Sequence, residues 1–179
     1  MASRKNYACG FAHDRSRRKV KPLSSKGERI SQFVEQLAGS AEGTPDDVAN
    51  DPYYQGFFRC WNEQRYYEAH DVLEHIWLKT TTDDGLYFKG LIQAAGAFVH
   101  LQKQYEHPTH PKHGRRLYPA VRLFRLALNN LSAFGPQRHA FDVAGFREML
   151  GRHENVIVES DHRTNPWSPE SAPLLSLLN

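Results

Sequence analysis

Tyr66-Tyr67-Glu68-Ala69-His70-Asp71-Val72-Leu73-Glu74-His75-Ile76-Trp77 is the stretch that sets the fold. Ala69, Val72, Leu73 and Ile76 recur at i, i+3, i+4 and i+7, the spacing of one face of an α-helix. A helix is expected from Tyr66 to about Lys79. At roughly 100° per residue, Tyr66, His70, Glu74 and Trp77 lie along the margin of the apolar stripe, and Glu68, Asp71 and His75 fall on the other side. His70 and Glu74 stand one turn apart, a spacing at which an imidazole and a carboxylate can hydrogen-bond or share a metal ion. Glu68, Asp71 and His75 are expected to form a solvated face.

The flanking segments repeat the helical pattern. Before this stretch, Asp51 is placed to cap a helix opening at Pro52, where proline's missing N–H is harmless. Tyr54, Phe57, Phe58 and Trp61 then make an aromatic stripe that belongs in a core. Asn62 suits a left-handed turn between the two helices. After the stretch, Thr82 or Asp83 should cap a third helix from about Leu86 to Gln104. It is apolar almost all round, which places it centrally. Gln93 and His100 are its polar exceptions, seven residues apart on one face. Buried, each must find a hydrogen-bond partner or cost about 1–3 kcal/mol. The nearest helix in sequence offers His70 and Glu74, so one polar cluster of His70, Glu74, Gln93 and His100 is expected between the two core helices.

Farther out, Leu117, Val121, Phe124, Leu128 and Leu131 form the seam of a fourth helix reaching about Phe134, with Arg115, Arg122, Arg125 and Asn129 on another face. His107, His110 and His113 occupy a Pro-rich loop, whose prolines oppose a helix that would align the rings as ligands. Gly135-Pro136 breaks the chain, and Asp142 then caps a short helix carrying Val143, Phe146, Met149 and Leu150. From Asp161 the chain is rich in proline and leucine and is expected to cross the bundle extended, anchored by Trp167.

The charge is divided unevenly. Of a formal +3, residues 1–27 carry +7, leaving −4 for the rest. Arg15, Arg17, Arg18, Lys19 and Lys21 mark a basic arm with too few large apolar residues to fold alone, read first as a solubilising tail and otherwise as suited to an anionic partner or to organelle targeting. A short amphipathic helix is expected from Glu28 to Leu37. Cys9 and Cys60 are too far apart in sequence for a metal knuckle and too few for a disulfide framework, which favours a reducing, cytoplasmic setting. No apolar run reaches the roughly 18 residues of a membrane span.

The expected architecture is therefore all-α: residues 1–49 a mostly disordered arm, 50–152 a compact bundle of four to five helices, 153–179 an extended tail. Trp61-Asn62, Tyr67 through Glu74, Trp77, Gly90-Leu91-Ile92-Gln93 and His100-Leu101 resemble the motif of the DUF309 family, small helical proteins whose function is unassigned. In that motif the residue after the first His is often Glu; Asp71 stands there in this chain. The resemblance implies a compact helical bundle and brings no substrate, cofactor or catalytic residue with it.

Three functions are compatible with these residues. In the first, an interaction module, the polar cluster is structural and fixes helix register. In the second, a metal- or small-ligand-binding bundle, extending to a metal-dependent hydrolase, His70, Glu74 and His100 ligate Zn, Fe or Mn while Gln93 orients water or substrate, with Glu68, Asp71 and Trp77 nearby. In the third, His70 is a general base oriented by Glu74, although no nucleophile or oxyanion donor accompanies it.

Overall fold

The computed structural model describes residues 32–33, 47–112 and 114–178. Apart from Gln32 and Phe33, the basic arm and the amphipathic segment after it lie outside the described residues, as does His113. The described chain is mostly helical. Its elements are α1 (Pro52–Asn62), α2 (Tyr66–Trp77), α3 (Asp84–Glu106), α4 (Leu117–Leu131), a hairpin of β1 (Gln137–Arg138) and β2 (Phe141–Asp142), and α5 (Val143–Glu159), with a one-turn 3-10 helix at Val48–Asn50 before α1.

α1 begins as its sequence dictates: Asp51 Oδ1 accepts from the backbone N–H groups of Tyr53 at 2.7 Å and Tyr54 at 3.2 Å. Its end differs from expectation. Gln64, not Asn62, takes the left-handed conformation, at φ 58°. Gln64 N–H bonds Trp61 O and Arg65 N–H bonds Cys60 O, both at 2.8 Å. This pair of hydrogen bonds closes a helix with a left-handed residue and folds α2 back beside α1. Asn62 stays helical, which frees its amide for another use described below.

Aromatic rings fill the space between these helices. Trp61, fully buried, meets Phe98 of α3 at 4.7 Å, Tyr66 of α2 at 5.2 Å and Phe146 of α5 at 5.7 Å between ring centroids. One side chain thus ties four helices together. α3 is the central element, with Tyr87, Phe88, Leu91, Ala94, Ala95, Phe98 and Leu101 all buried. Neither candidate cap makes a side-chain cap: Asp83 has no such hydrogen bond, and the first turn closes through backbone bonds to Thr82 and Asp83 carbonyls. The small residues of α3 set the distance to α4. A Cβ on Gly90 would stand 2.7 Å from Leu131 Cγ, so only glycine permits this approach.

α5 is longer than its apolar pattern suggests and runs on to Glu159. Asp142 Oδ1 accepts from Gly145 N–H at 2.9 Å as its cap. The segment after α5 then crosses back over the bundle. Trp167 is buried and donates to Tyr66 Oη at 3.0 Å. Trp61 Nε1 donates to Pro173 O at 2.8 Å, and Gln64 Nε2 donates to Pro169 O at 2.8 Å. Asn62 holds Leu175 from both sides, donating to its carbonyl at 2.7 Å and accepting its N–H at 2.8 Å. Leu177 bridges Phe141 in antiparallel register, extending the small hairpin. Backbone groups of this segment, which makes no helix of its own, thus bond to α1, to Gln64 in the turn after it and to Ala140 of the hairpin turn. No helix among the described residues is long and apolar enough to cross a membrane.

Candidate functional site

Burial of Ala69, Val72 and Leu73 fixes the rotation of α2 about its axis. His70, Asp71 and Glu74 consequently share one half-buried edge. His70 Nδ1 lies 3.1 Å from Asp71 Oδ1, and one potential ligand atom from each of His70, Asp71 and Glu74 lies within 4.8 Å of the others. Asp71 therefore joins His70 and Glu74, not Glu68 and His75 as its helical angle suggested. Its short side chain bends toward the imidazole and retains only 13% exposure. Glu68 lies 3.6 Å from Arg65 instead. His75 turns back on its own helix: its Nδ1–H donates to Asp71 O at 3.0 Å, and its ring stacks on Tyr53 at 5.1 Å. Trp77 is half-buried and packs against the core.

Gln93 and His100 are placed elsewhere. Gln93 Oε1 accepts from Asn130 Nδ2 of α4 at 2.7 Å. His100 lines a cleft with Pro119, Arg122, Leu123 and Leu126. The four-residue cluster expected from the sequence is thus divided between two seams. The reason lies in α3, whose Gly90, Gln93, Gly96 and His100 share the side that meets α4; Gly90 abuts Leu131 and Gly96 abuts Leu123. Helical spacing correctly puts Gln93 and His100 on one face, but a helix buried on several sides does not tell which neighbour that face meets. His100 is accordingly not among the three grouped ligand residues. Burial, followed by the nearby charges of Arg116 and Lys103, holds its imidazole down to about pKa 4.

A second constellation was not read from the sequence. Asp84, in the first turn of α3, accepts from Arg138 Nε at 2.8 Å and lies 3.0 Å from His139 Nε2, both on the same oxygen. Tyr54 and Tyr87 hydroxyls are 2.6 Å apart, and Tyr54 Oη also donates to His139 O at 3.2 Å. Burial pushes both phenols well above their usual range. His139 and Ala140 form the hairpin turn at φ 48° and 55°, a left-handed pair usually given to Asn-Gly. The His139 ring lies parallel to Phe88 at 6.1 Å, walled by Tyr87 at 5.5 Å. These contacts hold the unusual turn against the bundle. Asp84 and Arg138 are 54 positions apart, so no local spacing links them.

The remaining candidates are less organised. His107 and His110 are exposed, with ring centroids 6.3 Å apart. Of the arginines on α4, Arg125 is held by Glu154 at 2.6 Å. Cys60 is buried, and burial raises its thiol to about pKa 12, so it is not a thiolate nucleophile at neutral pH.

Residues 54–109 match the family model described as "Domain of unknown function (DUF309)". The match runs from the aromatic stripe of α1 through α2 and α3, and so includes His70, Asp71, Glu74, Gln93 and His100. No curated protein and no solved structure matches the chain.

Proposed function

We propose that the protein is a small helical binding module whose working surface is the outer edge of α2, where His70, Asp71 and Glu74 take up a divalent cation. The observation that carries this reading is the grouping of three ligand atoms within 4.8 Å of one another on a half-buried edge. One imidazole nitrogen and two carboxylate oxygens suit Zn, Mn or Fe. Three protein ligands leave a coordination position open for water, a small ligand or a side chain of another protein. In this form the metal reading exchanges His100 for Asp71.

An interaction module without metal is the second reading, favoured by the Gln93–Asn130 hydrogen bond. That bond gives one member of the expected cluster a purely architectural use between α3 and α4. The α2 edge would then be a polar surface for a protein partner, and the arm from Arg15 to Lys21 would serve an acidic one.

Zinc-dependent thermal unfolding of tag-free protein separates the two. The background should carry His107→Ala and His110→Ala, so that the loop does not contribute. Zinc at 100 times its dissociation constant should stabilise this protein by about 2.7 kcal/mol. The gain should vanish when His70→Ala or Glu74→Gln is added. A transition unmoved by zinc, or moved equally in those variants, would remove the cation reading and leave the interaction module.

A further inference from the structure

The cleft beside His100 lies between α3 and α4, has a volume of about 220 Å³ and contains no residue of the α2 edge. Its lining is of two kinds. Pro119, Leu123 and Leu126 give it apolar walls, whereas His100 and Arg122 are polar. Arg122 and Leu126 are exposed, so the cleft opens to solvent. Unlike Arg125, which Glu154 neutralises, Arg122 has no carboxylate partner among the described residues.

The His100 ring supplies the second polar group. Its Nδ1 is sealed from solvent and makes no hydrogen bond among the described residues. A buried N–H without an acceptor is costlier than a buried lone pair, so the neutral ring carries its proton on Nε2. Nε2 is then the nitrogen able to meet a ligand, and it meets it as a donor.

We infer that this cleft binds a small organic anion, a carboxylate on a short apolar body. Arg122 and the His100 Nε2–H bond its oxygens, and Pro119, Leu123 and Leu126 enclose its hydrocarbon part. Arg116 and Lys103, whose charges act on His100, also favour an anion there. Burial keeps the imidazole uncharged near neutral pH, so the cationic partner in the cleft is Arg122, and His100 contributes direction rather than charge.

Titration of the full chain with butyrate and with inorganic phosphate, followed by the His100 imidazole signals in NMR and by calorimetry, tests this inference. Butyrate should perturb His100 with a dissociation constant on the order of millimolar, as befits so small a ligand. Arg122→Gln, a change at an exposed position, should weaken it at least about tenfold, as should His100→Gln. Phosphate lacks an apolar body and should bind at least about tenfold more weakly than butyrate. The inference is overturned if butyrate leaves His100 unmoved, if Arg122→Gln binds it unchanged, or if phosphate binds as well as butyrate. Glu74→Gln should leave butyrate binding intact, which keeps this test separate from that of the α2 edge.

Discussion

Asp84 and Glu74 are both half-buried carboxylates with a histidine in their group, yet their surroundings are opposite. At Asp84, Arg138 and His139 converge on one oxygen, and Tyr54, Tyr87 and Phe88 wall off the histidine. The Glu74 carboxylate forms no hydrogen bond or ion pair with a described residue and stands beside the His70–Asp71 pair on a half-buried edge. The first carboxylate is used up by the fold. The second keeps lone pairs that no described residue takes up. Hydrogen-bond saturation, more than the kinds of residue present, separates architecture from a candidate site in this molecule.

The sharpest way to break this comparison is to remove each carboxylate in turn. Asp84→Ala strands Arg138 and His139 against a hairpin whose turn already holds two non-glycine residues at positive φ. A loss of about 2 kcal/mol in urea unfolding is expected, between the values for exposed and buried ion pairs, because Arg138 is partly open to solvent. A loss below about 1 kcal/mol would mean that the Asp84 contacts do not hold the hairpin.

A smaller effect is expected from acid, and it should come from the α3–α4 seam. The folded His100 takes a proton only near pH 4, whereas its unfolded imidazole does so near pH 6.5. The unfolded chain therefore binds more protons between those values, and stability falls as pH drops through that window. His153, also lowered by burial, acts with the same sign. Solvent at the cleft screens part of the His100 effect, leaving about 1 kcal/mol lost between pH 7 and pH 5. His100→Gln should flatten the stability–pH curve over that interval; an unchanged slope would place the acid sensitivity elsewhere.

The smallest effect belongs to Glu74. Without metal, Glu74→Gln should change stability by less than about 0.5 kcal/mol, as for a surface position with no partner. A larger loss would show that the α2 edge is built into the fold as Asp84 is.

The contrast also marks what could be seen in the sequence. The helices were legible from apolar spacing, and two of their starts from Asp51 and Asp142, because a capping carboxylate acts over two or three residues. The His70–Glu74 pair was legible because a helix turn fixes it. Asp71 was not, since its side chain leans around the helix beyond its nominal angle. The α4 neighbours that Gln93 and His100 meet were hidden by the all-round burial of α3. Asp84 with Arg138, and Asn62 with Leu175, depend on how distant segments meet, and the His139-Ala140 turn carries no glycine to announce a left-handed hairpin.

Paramagnetic broadening by Mn²⁺ in the amide spectrum of the tag-free protein tests the central claim most directly. Substoichiometric Mn²⁺ should erase the signals around residues 70–74 first, and Asp71→Asn with Glu74→Gln should restore them. Broadening centred on the His107–His110 loop, or a spectrum that Mn²⁺ leaves unchanged, would contradict the assignment of a cation site to the α2 edge.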